Sequence, residues 1–226
     1  MENKPFRIAI DGPSGAGKSV LARGFAEESG FIYVDTGAIY RTVGLAAQKR
    51  GISSRDAKEI EALLPQIGME IRHIDGAQCM FLWGENVSDE IRTPRSSIYA
   101  SDVSAIPAVR AYLLDMQREI ASRSNVVMDG RDIGTVVLPD AELKIFLTAS
   151  VEARAGRRYR ELLEKGFDCT YEDVLRDMIY RDRQDSERQA APLRPAEDSI
   201  IIDNSNMTLQ EEIDELCRLV KERQSK

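Results

Sequence analysis

Histidine is almost missing from this sequence and cysteine is scarce: 226 residues include one His and three Cys. Cys79, Cys169 and Cys217 are odd in number and far apart, and His73 has no partner at ligand spacing. Zinc-type ligand sets and a disulfide framework are thereby excluded as organising features, and a reducing cytoplasmic setting with inert thiols is expected. Long apolar runs are missing too. Met-Glu-Asn-Lys-Pro leads into only five largely apolar residues, too few for the apolar core of a signal sequence. No stretch approaches the roughly 20 residues of a membrane span, so no membrane partner is expected. Nor is there an excess of positive charge. Lys and Arg number 31 against 38 Asp and Glu, a formal net charge of −7. Non-specific nucleic-acid binding needs a broad basic face, so no nucleic-acid partner is expected. Any site for an anionic ligand must be a local basic cluster set against the overall field.

What is present is an alternation of buried-strand and helical patterns, which predicts an α/β fold: a parallel sheet with helices on both faces. Phe6–Ile10, Phe31–Val34, Asn125–Met128, Leu143–Leu147 and Ser199–Ile202 read as five core strands. Helices are predicted over Lys18–Ser29, stopped by Gly30, and over Ala38–Arg50, stopped by Gly51. A short helix capped by Ser53 or Ser54 should run to Leu64. Pro107 should open a helix to about Arg123, and further helices are expected over Val151–Lys165, Tyr171–Glu187 (capped by Thr170 with Asp173) and Thr208–Gln224. From Met69 to about Ile91 the period changes to alternation around Asp75-Gly76. An antiparallel hairpin is expected there, as a small insertion foreign to the parallel core.

Gly12-Pro13-Ser14-Gly15-Ala16-Gly17-Lys18-Ser19 matches G-x-x-x-x-G-K-[ST] in full, after a strand and before a helix. The glycines let successive N–H groups turn towards phosphate oxygens, and the helix start adds positive charge. Lys18 is placed to reach β- and γ-phosphates, and the Ser19 hydroxyl to ligate Mg²⁺. Asp129 directly follows a buried strand, at the end where open α/β sheets bind ligands, and is the candidate second holder of the metal, directly or through water. No N-K-x-D base-reading motif follows the loop, which argues against a GTP switch; the one Asn-Lys pair, Asn3-Lys4, lies upstream.

A phosphoryl acceptor needs its own cations. Asp129-Gly130-Arg131-Asp132 and Asp35-Thr36-Gly37-Ala38-Ile39-Tyr40-Arg41 both follow strands, so both should open on the phosphate-loop side. Thr36 is a candidate helix cap, and Arg41 and Arg131 can grip a phosphate in bidentate fashion. Residues 151–194 hold ten basic and ten acidic residues, which reads as an ion-paired helical pair. Within it Arg181, Asp185 and Arg188 share one helix face, and Arg154, Arg157 and Arg158 form a second cluster. Such guanidinium groups suit a moving phosphoryl when a site closes over it. On spacing alone the acceptor could be a nucleoside monophosphate or another small metabolite.

These pieces together resemble the bacterial cytidylate kinase family, within the P-loop nucleoside monophosphate kinases. The likeness rests on IDGPSGAGKS, VDTGAIYR, SDEIRT with ASDVSAIPAVR, MDGRDIGTVVLPDAELKIFL and RDRQDSERQAAPL, in that order. It implies a three-layer αβα P-loop NTPase fold in one unit, with core at about 1–62 and 96–226, a CMP-binding insertion at about 63–95 and a helical lid at about 151–190. It implies transfer of the ATP γ-phosphoryl group to CMP and dCMP in pyrimidine nucleotide metabolism, with Mg²⁺, by a cytoplasmic monomer. Residues 12–20 would hold ATP, with Arg157 and Arg158 in the lid over it. Arg41, Arg131 and Arg188 would contact the acceptor phosphate, with Ser101, Arg110 and Asp132 near the cytosine. Asp129 would belong to the same acceptor cleft, with Thr36 close to the base and Asp185 at the sugar. Lys18, Arg131, Arg181 and Arg188 would be the catalytic cations. Two positions depart from the common pattern: Thr36 stands where many members have Ser, and Val20 where Thr is common.

Overall fold

The computed structural model describes residues 4–225; the first three residues, including Asn3 of the Asn-Lys pair, lie outside the described residues. In chain order the core begins with β1 (Arg7–Asp11), α1 (Lys18–Ser29), β2 (Ile32–Asp35), α2 (Thr36–Lys49) and α3 (Ala57–Leu63). The small sheet follows as β3 (Met69–Ile74), β4 (Ala77–Leu82) and β5 (Glu85–Asn86). Then come α4 (Pro94–Ser104), α5 (Pro107–Arg123), β6 (Val126–Gly130) and β7 (Leu143–Thr148). The chain closes with α6 (Val151–Glu164), α7 (Tyr171–Glu187), β8 (Ile200–Asp203) and α8 (Leu209–Gln224).

The main sheet runs β2-β6-β1-β7-β8, and every pairing in it is parallel. Its two central strands are buried almost throughout, as near-continuous Val, Ile and Ala runs require when helices cover both faces. On one face Leu21 and Phe25 of α1 and Ile213 and Leu216 of α8 pack on Ile8, Ile10, Ile145 and Leu147. On the other, Ala121 of α5 and the segment holding Ile133, Val137 and Leu138 cover Ala9, Val34 and Met128. A third cluster joins α2 to α3, the small sheet, α4 and the start of α5. The result is the expected three-layer arrangement. The chain leaves β1 towards β2 on one side and reaches β7 on the other, so a crevice opens at the carboxyl ends of β1 and β6.

The hairpin is antiparallel as expected, and gains β5 as a third strand. Asp75 and Gly76 both take positive φ (51° and 78°), the conformation of a tight primed turn, which fixes the register Ile74↔Ala77.

Several local expectations are corrected. Helix α2 begins at Thr36 and is capped by Asp35, whose carboxylate accepts from Ala38 N; a carboxylate one residue earlier satisfies the free N–H groups better than the Thr hydroxyl. Helix α3 is capped by Asp56, not by Ser53 or Ser54. The sequence reading missed α4, an 11-residue helix started by Pro94 and capped by Thr93. It also missed a single π-type turn at Ile133–Val137. Helix α7 is capped by Thr170, which accepts from Asp173 N, and ends at Glu187, both as expected; Arg188 therefore lies just past it in extended backbone and does not share a helix face with Arg181 and Asp185.

Candidate active site

The phosphate loop joins the end of β1 to the start of α1. Gly12 has φ +151°, and a Cβ there would lie 1.9 Å from the Leu147 carbonyl oxygen of β7, so only glycine lets the loop leave the sheet. Gly17 caps α1 at φ +94°. Lys18 is buried, and its Nζ donates to Pro13 O at 2.7 Å across the loop. Burial, with the Arg131 charge next, pushes the Lys18 amine down to about 7. An ammonium with so weak a hold on its proton regains it when phosphate oxygens arrive.

Strand register sets the carboxylates. Asp129 of β6 lies beside Ile10 of β1 and Asp35 of β2. Its Oδ2 accepts from Ser19 Oγ at 2.8 Å and its Oδ1 from Tyr33 Oη at 3.0 Å. Burial and then the neighbouring Asp35 charge raise its carboxyl to about 6. Asp11 closes β1 and accepts from Ile133 N and Gly134 N, both at 2.7 Å, tying the π-type turn under the Gly130–Asp132 loop. Burial raises Asp11 to about 6 as well.

The side of the cleft opposite the phosphate loop is built from guanidinium–carboxylate pairs. Arg41 NH2 lies 2.8 Å from Asp35 Oδ2, with its Nε buried and unpartnered. Arg131 Nε lies 2.6 Å from Asp185 Oδ2. Asp132 accepts from Arg110 on one oxygen and faces Arg188 NH2 at 3.5 Å on the other. Arg188 NH1 also donates to Ser104 Oγ at 3.2 Å, and the Arg110 guanidinium stacks over the Tyr40 ring at 5.6 Å. Burial opposes ionisation of Asp185, yet Arg131 and Arg188 hold its carboxyl below the ordinary value. Ser101 keeps a buried hydroxyl with no partner. Arg181 has a buried, unpartnered Nε and is pushed down to about 10 by burial and then by Arg131.

Lys18, Ser19, Asp129 and the arginine-bearing groups opposite them line one cavity of about 500 Å³, in which eleven Lys and Arg side chains face five carboxylates. The local basic cluster demanded by an acidic chain therefore exists, and it spans the phosphate loop, both strand-end loops, α4, α5 and the α6–α7 pair. Arg157 and Arg158 line it too, Arg157 donating to Asn204 O at 2.8 Å and Arg158 to Glu161 at 2.8 Å. Two placements differ from the residue-level expectation. The Thr36 hydroxyl is spent on Asp129 O at 2.7 Å. Arg154 points away from the cleft and braces the phosphate loop, donating to Ser14 O at 2.9 Å and pairing with Asp182 at 2.7 Å. Val20 lines the cleft and is more than half exposed beside the loop. Asp11, Tyr33 and Asn204 were missed; an aspartate ending a buried strand immediately before the loop was the one available signal.

Among the described residues no cluster of three or more His, Cys, Asp or Glu could hold a metal, and no helix is long and apolar enough to cross a membrane. A hydroxyl and a carboxylate beside a phosphate loop nonetheless suit Mg²⁺, which takes few protein oxygens and completes its shell with phosphate and water. The three cysteines are free and half-buried.

A phosphate loop at the switch point of a parallel sheet, facing a second arginine-rich cleft under a helical pair, defines a P-loop phosphotransferase. Comparison narrows the class. The sequence model of cytidylate kinase matches residues 8–222. The chain is 50% identical over 216 residues to a cytidylate kinase of Caldicellulosiruptor bescii, covering 96% of each, and 50% identical over 219 residues to one of Thermosipho melanesiensis, covering 97% of this chain and 98% of that one. It belongs to the cytidylate kinase family. An uncharacterised protein of Eubacterium ventriosum shares the fold at a TM-score of 0.52 and 13% identity, over 97% of this chain and 99% of that one.

Proposed function

We propose that this enzyme transfers the γ-phosphoryl group of ATP to CMP and dCMP, giving ADP and CDP or dCDP, from the cleft described above. The observation that carries the proposal is the joining of two anion sites in one cavity: the phosphate loop with Lys18, and the group of Arg41, Arg131 and Arg188.

In this reading residues 12–20 cradle the triphosphate and Lys18 follows its β- and γ-phosphates. Ser19, with Asp129 behind it, would hold Mg²⁺, which supplies charge neutralisation on the phosphate oxygens when bound. Arg131, Arg181 and Arg188 face the moving phosphoryl; Arg181, with no carboxylate on its Nε, is the cation most available to it. Arg157 and Arg158 of the α6–α7 lid, about 151–190, close over ATP. The acceptor phosphate is already ionised at neutral pH, so positioning and electrostatics suffice and no strong general base is needed.

Cytosine is selected by Asp132 and Arg110, with Ser101 alongside. Asp132 accepts from the exocyclic amine, and Arg110 donates to the ring carbonyl and nitrogen. Uracil presents an acceptor where cytosine has its amine, leaving a buried carboxylate facing oxygen. Such a mismatch costs about 1–3 kcal/mol, roughly ten- to a hundredfold in kcat/KM. Asp185 serves the acceptor sugar. The insertion at about 63–95 would serve the acceptor, its Arg92 lining the cleft, and the core at about 1–62 and 96–226 carries the rest of the unit. A cytoplasmic monomer using free nucleotides, without nucleic acid or membrane, completes the reading; the net charge of −7 supports the absence of a nucleic-acid partner.

The test is ADP release from Mg²⁺–ATP with CMP, dCMP, UMP, AMP or GMP offered separately. CMP and dCMP should turn over fastest, with UMP at least tenfold lower in kcat/KM. Inert CMP beside an active purine monophosphate would overturn the assignment.

A further inference from the structure

Directly after β8, Asn204 is completely buried, and both hydrogens of its side-chain amide are used. Nδ2 donates to Ala16 O of the phosphate loop at 2.8 Å and to Glu212 Oε1 of α8 at 2.9 Å. With the amine so held, Oδ1 must face the other way, and there Arg157 NH1 donates to it at 3.2 Å while Arg157 NH2 donates to the Asn204 backbone oxygen at 2.8 Å. One side chain thus touches the phosphate loop, the lid and the closing helix. Glu212 is itself buried, and its Oε2 has no hydrogen-bond partner, an arrangement kept at a cost in desolvation.

In a planar trans peptide the C=O and the following N–H point in opposite directions. Holding the Ala16 carbonyl back towards Asn204 therefore aims the Gly17 N–H to the opposite side, the concave side of the loop, where phosphate oxygens bind. Gly17 lies close against this amide: a Cβ there would be 3.3 Å from Asn204 Nδ2, so a larger residue would press on the contact. The same amide group seats Arg157, which lines the cleft from α6.

We propose that Asn204, oriented by Glu212, is a positioning residue for the donor nucleotide: it sets the direction of a phosphate-binding amide and seats a lid arginine in one contact set. This rests on the reading that the loop binds ATP. Its signature is one-sided. Disturbing Asn204 weakens ATP and leaves the acceptor alone, because no contact of Asn204 or Glu212 reaches the Arg41–Arg131–Arg188 side.

The experiment compares Asn204→Ala, Glu212→Ala and Glu212→Gln with the unaltered enzyme, measuring KM for ATP and for CMP, ATP affinity by calorimetry, and the melting temperature. Asn204→Ala should raise KM and Kd for ATP about tenfold, with KM for CMP within about twofold. Glu212→Gln retains an acceptor for Nδ2 and should stay within about twofold of the unaltered enzyme, whereas Glu212→Ala should move ATP in the direction of Asn204→Ala. Should Asn204→Ala fail to fold, the Gln and Ala variants at 212 still read the same bond. Parallel rises in both KM values, or a lower melting temperature with both unchanged, would show a fold brace and overturn the proposal. Absence of ATP binding in the unaltered enzyme would instead overturn the functional reading beneath it.

Discussion

The two halves of the cleft are built by different means. On the proposed donor side the groups offered to a ligand are backbone amides of a loop clamped from behind, with Arg154 on Ser14 O and Asn204 on Ala16 O. On the acceptor side they are the ends of long side chains from α2, α5, the loop after β6 and the end of α7, each already paired with a carboxylate. The loop amides of the donor half have no ion pair to break when an anion enters; only Lys18, held to Pro13 O, must regain its proton. An anion entering the acceptor half must compete with Asp35, Asp132 and Asp185 for the same guanidinium groups. Acceptor affinity is therefore a difference between two sets of ion pairs, and its discrimination comes from which carboxylates the ligand can release or re-use.

If that contrast is right, single substitutions should separate the halves. Lys18→Met removes the only buried ammonium in the phosphate loop, and kcat should fall by about 10³-fold or more with the melting curve preserved. Near-normal turnover would place the phosphoryl-stabilising charge elsewhere. Arg188→Met removes one acceptor cation and strands Asp132 and Asp185 with a weaker counter-charge. KM for CMP should rise about 10- to 100-fold while KM for ATP changes less than about twofold. Equal losses for both substrates would erase the division between the halves.

The same contrast explains what the sequence disclosed. The donor half follows from local backbone rules, so Gly12–Ser19 between a strand and a helix was legible from spacing. The parallel core was legible for the same reason: buried strands read as apolar runs, and Gly30 and Gly51 mark helix ends at positive φ. The acceptor half depends on which distant segments meet, and spacing is silent about that. Arg110 and Asp132 are 22 residues apart and Arg131 and Asp185 are 54 apart; family likeness put the four in one cleft, and only the structure shows that they pair. Helix α4 was missed because Arg-Ser-Ser-Ile-Tyr-Ala-Ser-Asp has weak periodicity; its packing on α2, where a Cβ at Gly44 would lie 2.9 Å from Tyr99 Cβ, makes it a helix. Asn204 lay beyond any local rule, since its partners are 188, 47 and 8 residues away.

A smaller effect tests whether the halves share a foundation. Asp11 is the last residue before the phosphate loop, yet both its oxygens serve the turn beneath Arg131 and Asp132. Asp11→Ala leaves two buried N–H groups without acceptors and should lower stability by about 2–3 kcal/mol, roughly 5–10 °C in melting temperature. Both substrates should weaken together, in contrast to Lys18→Met and Arg188→Met. A variant that melts normally would sever this link between loop and acceptor cleft.

The smallest expected signal is a proton count, and it probes the donor half alone. Lys18 in the free enzyme titrates near 7, well below the ordinary lysine value, because burial disfavours its charge. Triphosphate oxygens restore that charge, so ATP binding must take up a proton wherever free Lys18 is neutral. At pH 8 it is mostly neutral, and uptake should approach one proton per ATP; at pH 6 the amine is already protonated, and uptake through it should be slight. Calorimetric titration of ATP at each pH, in two buffers of different ionisation enthalpy, reads the number directly. CMP binding, through guanidinium groups that stay charged throughout this range, should show no comparable rise in uptake between pH 6 and pH 8. Uptake that failed to grow towards pH 8 with ATP would mean that Lys18 is already charged in the free loop, and the donor half would then be as fully ionised before binding as the acceptor half.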